Sequence, residues 1–164
     1  MLRIIAMEPE PDNYACLLKN IRANRLDNVI PVRKMLWSGQ RQMPLYLSGN
    51  TSAHSAYRDA FFGSTGESID VEADSLDNIL EAAGIDHADF IKMDIEGSEI
   101  EALKGMEKTL QSDVVVAIAA YHPIDGIPTY KTVMSDLQRL GFRTSYADEI
   151  VHARRNPDHD PGKL

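Results

Sequence analysis

Residues 90–99 read FIKMDIEGSE, a short apolar run that stops at an acid and passes directly into a helical pattern. No other stretch restricts the fold as tightly. A run this short, closed by Asp94 and Gly97, reads as a strand rather than a helix. Ile100, Leu103, Met106 and Leu110 then recur at helical spacing and predict one buried stripe. Ser98 with Glu101 has the pattern of a capping box. In open α/β sheets ligands bind outside the carboxyl ends of strands. Asp94, Glu96 and Glu99 therefore mark a functional edge before any chemistry is assigned.

The same alternation runs through the chain. Residues 2–7 are almost continuously apolar and predict a strand that ends at Glu8. Glu10-Pro11 opens a helix, because proline is tolerated where its missing N–H has no partner anyway. Tyr14, Leu17, Leu18 and Ile21 form its core-facing stripe. Residues 29–36 predict a second strand, residues 42–47 a short edge strand, 48–66 a loop or lid, and 68–73 another strand. Leu76, Ile79 and Leu80 make a short helix that ends near Gly84. Residues 88–94 are the strand of the opening, and 114–120 are strongly β-branched. A helix over 129–140 carries Val133, Leu137 and Leu140 inward. Residues 142–146 and 150–154 form a final antiparallel hairpin, since the link around Asp148 is too short for a crossover. Strands alternating with helices predict an α/β fold, a mainly parallel sheet with helices on both faces. Residues 1–155 form one domain, and 156–164, with two prolines, form a flexible tail.

Composition excludes several classes. A length of 164 residues supports one core, and a formal charge of −8 with no large basic cluster argues against nucleic acid or an anionic membrane as partner. The longest apolar run, residues 114–121, is too short to span a bilayer, and no basic-then-apolar leader precedes Glu8. Cys16, the single cysteine, excludes an internal disulfide and fits the cytoplasm. It reads as a small buried hydrophobe. His54, His87, His152 and His159 show no metal-ligand spacing with one another or with Cys16, so no metal is assigned.

Three positions carry candidate chemistry. Glu8 ends a strand, and an acid there can accept both hydrogens of a ribose diol. It can equally complement the dipole of the helix after it. Asp94 precedes its helix and has no capping role, whereas Glu99 and Glu101 lie in the first turn, where acids are favoured. Close carboxylates here could supply a general base, and the three acids Asp94, Glu96 and Glu99 together could also bind a divalent cation. Tyr121-His122-Pro123 follows the 114–120 strand. The proline keeps His122 out of a helix, at the strand edge, where an imidazole can take a proton near neutral pH.

With these residues in hand, the chain resembles the FkbM-type family of S-adenosylmethionine-dependent methyltransferases. The resemblance covers residues 4–146. Its anchor is IKMDIEGSEIEALKGM, residues 91–106, supported by IIAMEPEPDNYACLLKNIRAN, by SLDNIL at 75–80 and by AYHP at 120–123. It implies a Rossmann-like class I methyltransferase sheet, S-adenosyl-L-methionine as methyl donor, and a hydroxyl of a small molecule or saccharide as acceptor. Glu8 would take the ribose diol, with Met35, Leu36 and Trp37 near the adenine. His122 would be the base and Asp94 its positioning partner, with Glu96 and Tyr121 on the substrate side. One departure stands out. The strand and Gly-rich turn that hold the amino-acid end of the cofactor in such proteins have no counterpart here, so the domain reads as N-terminally incomplete. The missing strand would be central, and its absence leaves two apolar sheet edges open to homo-oligomerisation. Two other readings stay in play. One is a non-catalytic remnant that associates through those edges. The other is a nicotinamide-dependent oxidoreductase, which would share the ribose acid.

Overall fold

In the computed structural model, residues 2–49, 53–58, 64–124 and 127–156 are described. Strand β1 (Ile4–Met7) pairs in parallel with β2 (Val29–Val32), Ile5 opposite Ile30. Helix α1 (Pro11–Ala23) joins them, and the Glu10 side chain accepts a hydrogen bond from the Asn13 N–H at its start. The stripe Tyr14, Leu17, Leu18 and Ile21 is the inner side of α1, but it is only half-buried. Cys16 is exposed, contrary to the sequence reading. It precedes Leu17 by one position, about 100° round the helix and on the solvent side.

The strand expected over 29–36 is broken in two. β3 (Met35–Leu36) leaves β2 and pairs in parallel with β5 (Ser64–Asp74), which pairs antiparallel with β4 (Arg41–Ser48) in the order β3-β5-β4. Lys34 sits at the break, with Nζ 2.8 Å from Asp74 Oδ2. The Ser75 N–H and the Asn78 amide donate to Oδ1 of the same carboxylate. Burial pushes the Asp74 carboxyl up, but the bonds from Lys34, Asn78 and Ser75 outweigh it and hold the pKa below its ordinary value. The expected strands 42–47 and 68–73 are thus parts of one long ribbon. Within the expected 48–66 loop, 53–58 bridges back to β4 through Tyr46 and Ser55. Residues 50–52 and 59–63 of that loop, and 157–164 of the expected tail, lie outside the described residues.

Helix α2 (Leu76–Ala82) starts at Ser75, whose hydroxyl accepts from the Asn78 N–H, and the chain leaves it through Gly84 at φ +60°. β6 (Phe90–Met93) and β7 (Val115–Ala119) are parallel neighbours. Between them lie α3 (Glu99–Lys104) and a 3₁₀ turn, Thr109–Gln111. α3 is shorter than its apolar stripe: Met106 and Leu110 are buried beyond its end at Gly105. A Cβ on Gly105 would meet the Trp37 carbonyl at 2.2 Å, so this glycine permits a close approach of α3 to β3. After β7 come a small hairpin, β8 (Pro123–Ile124) with β9 (Ile127–Pro128), then α4 (Tyr130–Arg139). Leu140, expected inside, lies just past α4 and is exposed.

β10 (Phe142–Ala147) and β11 (Ile150–Arg155) form the expected hairpin. Asp148 and Glu149 at its tip both have positive φ, the turn whose twist suits a two-residue loop. β11 pairs antiparallel with β7, giving the order β10-β11-β7-β6. The sheets are mixed: among the described residues three strand pairings are parallel and four antiparallel, which corrects the expectation of a mainly parallel sheet. Alternating strands and helices do not show which strand ends beside which. The short links in β8–β9 and β10–β11 admit only antiparallel partners.

Val116, Ile118, Met106, Val133, Leu137 and Val151 form the centre of the main core. Met35, Trp37, Leu45, Val71 and Ala73 make a second, smaller one. β1 and β6 each end their sheets, and a cavity of about 1020 Å³ lies between them. Among the described residues no helix is long and apolar enough to cross a membrane.

Candidate functional site

Met93 and Ile118 are register partners in parallel strands, so β6 and β7 deliver their next residues to one edge. From β6 come Asp94 and then a sharp corner. Glu96 has φ +55° and Gly97 φ +97°. The left-handed region is unusual for glutamate and natural for glycine. The Ser55 hydroxyl donates to the Glu96 carbonyl at 2.7 Å and pins the corner to the 53–58 segment. From β7 come Tyr121 and His122.

Four ionisable side chains meet there. His122 and Glu99 are both fully buried, at 0% exposure. His122 Nδ1 lies 3.1 Å from Glu99 Oε1, and Nε2 lies 3.2 Å from Glu96 Oε2 and 3.9 Å from Asp94 Oδ1. Burial alone would push the imidazole down. The carboxylates of Glu96 and Glu99, one at each ring nitrogen, outweigh it and raise the pKa to about 9. Asp94, Glu96 and His122 each direct one atom within 4.8 Å of the others, a spacing also open to a cation. With its pKa raised to about 9, the ring is favoured in its protonated form near neutral pH, and in that form His122 itself supplies positive charge beside Glu96. Asp94 is the most open member, and Lys92 Nζ lies 3.3 Å from it. Tyr121 is 41% exposed, its ring 4.0 Å from that of His122. Burial, and after it the negative charges of Asp94 and Glu96, raise the Tyr121 hydroxyl above its ordinary value.

The expected capping box does not form, since the Ser98 side chain makes no cap hydrogen bond. Ser98 is not extended (ψ +4°), so it lacks the backbone conformation typical of an N-cap. The Gly97 N–H donates instead to Glu99 Oε1 at 3.1 Å. Glu101, expected to serve the helix start, is bonded to Lys104. In sequence Glu99 reads mainly as a helix-start acid; its contact with His122 spans 23 residues and has no local signal.

Glu8 stands at the end of β1, and its Oε1 accepts from the Glu10 N–H at 2.9 Å. Burial raises its pKa, against the lowering effect of that bond. Glu8, Met35, Leu36, Asp94 and Glu96 all line the large cavity. Three candidates are not on its wall. Trp37 packs in the smaller core, its indole nitrogen buried without a partner among the described residues. Tyr121 and His122 do not line it, although His122 is in contact with Glu96, which does. The arrangement offers an acceptor for a diol at one strand end and a proton-handling cluster at another.

Residues 2–144 match the family described as Methyltransferase FkbM domain. The chain is similar to hexuronic acid methyltransferase AglP of Haloferax volcanii, 27% identical over 161 residues, covering 98% of this chain and 61% of that protein. Its fold is similar to the crystal structure of methyltransferase FkbM from Methylobacillus flagellatus KT, with TM-score 0.62 at 20% identity, covering 92% of this chain and 36% of that one. The chain thus spans less than two thirds of the length of either. The match over residues 2–144 shows that it belongs to the FkbM family of methyltransferases.

Proposed function

We propose that the chain supplies the nucleoside-side and acceptor-side walls of an S-adenosyl-L-methionine-dependent O-methyltransferase acting on a hydroxyl of a saccharide or other small molecule. The observation that carries this reading is the single cavity walled by Glu8 from one strand end and by Asp94 and Glu96 from another. A half-buried carboxylate near apolar Met35 and Leu36 suits a ribose diol beside an adenine. Trp37, next in sequence, would back that apolar wall. The saccharide acceptor is supported by the likeness to a hexuronic acid methyltransferase. The lone cysteine suits a cytoplasmic protein.

When bound, the cofactor supplies a methyl group already activated on a sulfonium. Glu8 then has only to hold, by accepting the two diol hydrogens. Near Tyr121, Asp94 and Glu96 orient the acceptor hydroxyl, and much of the rate comes from that alignment. His122 takes the hydroxyl proton at Nε2 once the ring has given up its own. With a pKa of about 9, the base form grows roughly tenfold per pH unit below that value. The acid limb of kcat/KM is therefore expected near pH 9, and a His122→Gln enzyme is expected to lose it. A limb well below pH 8 would assign the base elsewhere.

The unpaired edges of β1 and β6, with exposed Leu2, Ile4 and Phe90 on the cavity wall, support one more element. A strand and Gly-rich turn from outside these residues would pair with both edges and hold the amino-acid end of the cofactor. Calorimetric titration of S-adenosylhomocysteine into a chain carrying such a strand tests the whole reading. Binding weakened at least ~10-fold by Glu8→Gln is expected, from loss of a charged hydrogen-bond acceptor. No heat of binding would sink it, and equal competition by NADH would favour the oxidoreductase. The same open edges favour a second reading, association with another copy. Light scattering that finds a folded monomer would reject that.

A further inference from the structure

Glu99 occupies a position where an acid is ordinarily explained by the helix dipole, yet it does not behave like one. Glu101, in the same turn of α3, keeps its carboxylate partly exposed beside Lys104. Glu99 is turned inward to 0% exposure. Burying a carboxylate is costly unless a charged or hydrogen-bonding partner offsets it. The partners are the Gly97 N–H and His122 Nδ1, both 3.1 Å from Oε1. An ionised carboxylate only accepts, so Nδ1 carries a hydrogen, and in the charged ring Nε2 carries the second one, toward Glu96; because Glu99 is fully buried and Glu96 is not, the hydrogen on Nε2 is the one given up.

We propose that Glu99 is the positioning residue for His122: it fixes the ring and keeps the hydrogen on Nδ1, so that Nε2 is the atom presented to Glu96, Asp94 and the acceptor. This rests on the acceptor-side reading above. The arrangement follows from three elements. β7 ends just before the histidine, α3 begins with the glutamate, and the Glu96-Gly97 corner sets the distance between them. The charged groups facing His122 are Glu99 at Nδ1, with Glu96 and Asp94 at Nε2. Tyr57 faces Glu99 from the 53–58 segment, and its hydroxyl is raised by burial and then by Glu101 and Glu99. A carboxylate behind the working imidazole selects which nitrogen is free and stabilises the protonated ring.

The test is nitrogen NMR of histidine-labelled full chain, following the His122 ring nitrogens through pH 5–11 in the parent, Glu99→Gln and Glu99→Leu proteins. In the parent the neutral ring is expected with its hydrogen on Nδ1. Glu99→Gln retains an acceptor but no charge, so the hydrogen stays on Nδ1 while the proton affinity of the ring falls at least ~10-fold, as loss of one ion-pair partner predicts. Glu99→Leu removes the acceptor as well, and the ring reverts to a mixture dominated by the Nε2–H form. An unchanged titration and an unchanged tautomer in Glu99→Gln would overturn the proposal, and that variant decides the matter even where Glu99→Leu does not fold. These signals need no cofactor and no turnover, so they are independent of the methyl-transfer reading. In the active protein, the matching expectation is an acid limb of kcat moved at least ~1 pH unit lower by Glu99→Gln with KM preserved. Equal loss in both constants would instead mark a structural role.

Discussion

The two parallel strand pairs, β1–β2 and β6–β7, are written in equally apolar sequence yet lie in different surroundings. In β1 and β2 no residue is buried, and the α1 helix that joins them buries none. In β7, Val116 and Ile118 are fully enclosed. β7 has β6 on one side and β11 on the other, and Val133 and Leu137 of α4 share its core. Among the described residues each strand of the first pair has one partner, and β1 faces a cavity instead of a neighbour. An apolar run specifies a strand, but its burial is supplied by whatever stands beside it.

The largest expected effect contrasts those surroundings directly. Leu137→Ala removes a fully buried side chain and should cost about 3 kcal/mol, whereas Ile5→Ala, in a half-buried strand, should cost about 1 kcal/mol or less. Urea unfolding of both variants measures the difference, and equal losses would erase the distinction between the pairs.

A smaller effect separates the regions by pH. His122 has its pKa raised from 6.5 to about 9 by folding, so its contribution is complete below about pH 6.5 and is lost as pH rises through 9. Asp74, between β5 and α2, has its pKa lowered from 3.8, so its contribution is present above that value and is lost as pH falls below it. Melting temperature should therefore decline at both extremes. His122→Gln should flatten only the alkaline side and Asp74→Asn only the acid side. If either substitution flattens both, the two regions are not separable in this way.

The smallest expected effect is at Cys16. Cys16→Ser, on exposed helix surface, should change stability by no more than about 0.5 kcal/mol, and the native thiol should react with a disulfide reagent without prior unfolding. A protected thiol would mean that α1 has a covering partner in solution.

What could be read from sequence follows the same division. The α2 helix, the β10–β11 hairpin and the strand before Asp94 rest on local patterns, and all three appear. So does the meeting of Asp94 with His122, because two parallel strands must deliver their ends to one edge. The broken strand at Lys34 was not legible, since the partner Lys34 meets there, Asp74, lies 40 residues away. Nor was the turning of Glu99 away from solvent, because a helix-start acid and a buried acid look alike until their long-range partner is known. Cys16 misled for a simpler reason: small size suggests burial, but helical phase decides it.

Glu96 holds a left-handed backbone that glycine would adopt without strain, and such strain amounts to roughly 1 kcal/mol or more. Above pH 9, where the neutral His122 ring no longer needs that carboxylate, a laboratory selection for thermal stability alone, blind to turnover, would therefore favour Glu96→Gly. Under the proposed function, a selection that also demanded methyl transfer would reject it. Opposite outcomes of the two selections at this one codon would measure how much robustness the chain gives up to keep a carboxylate at its corner.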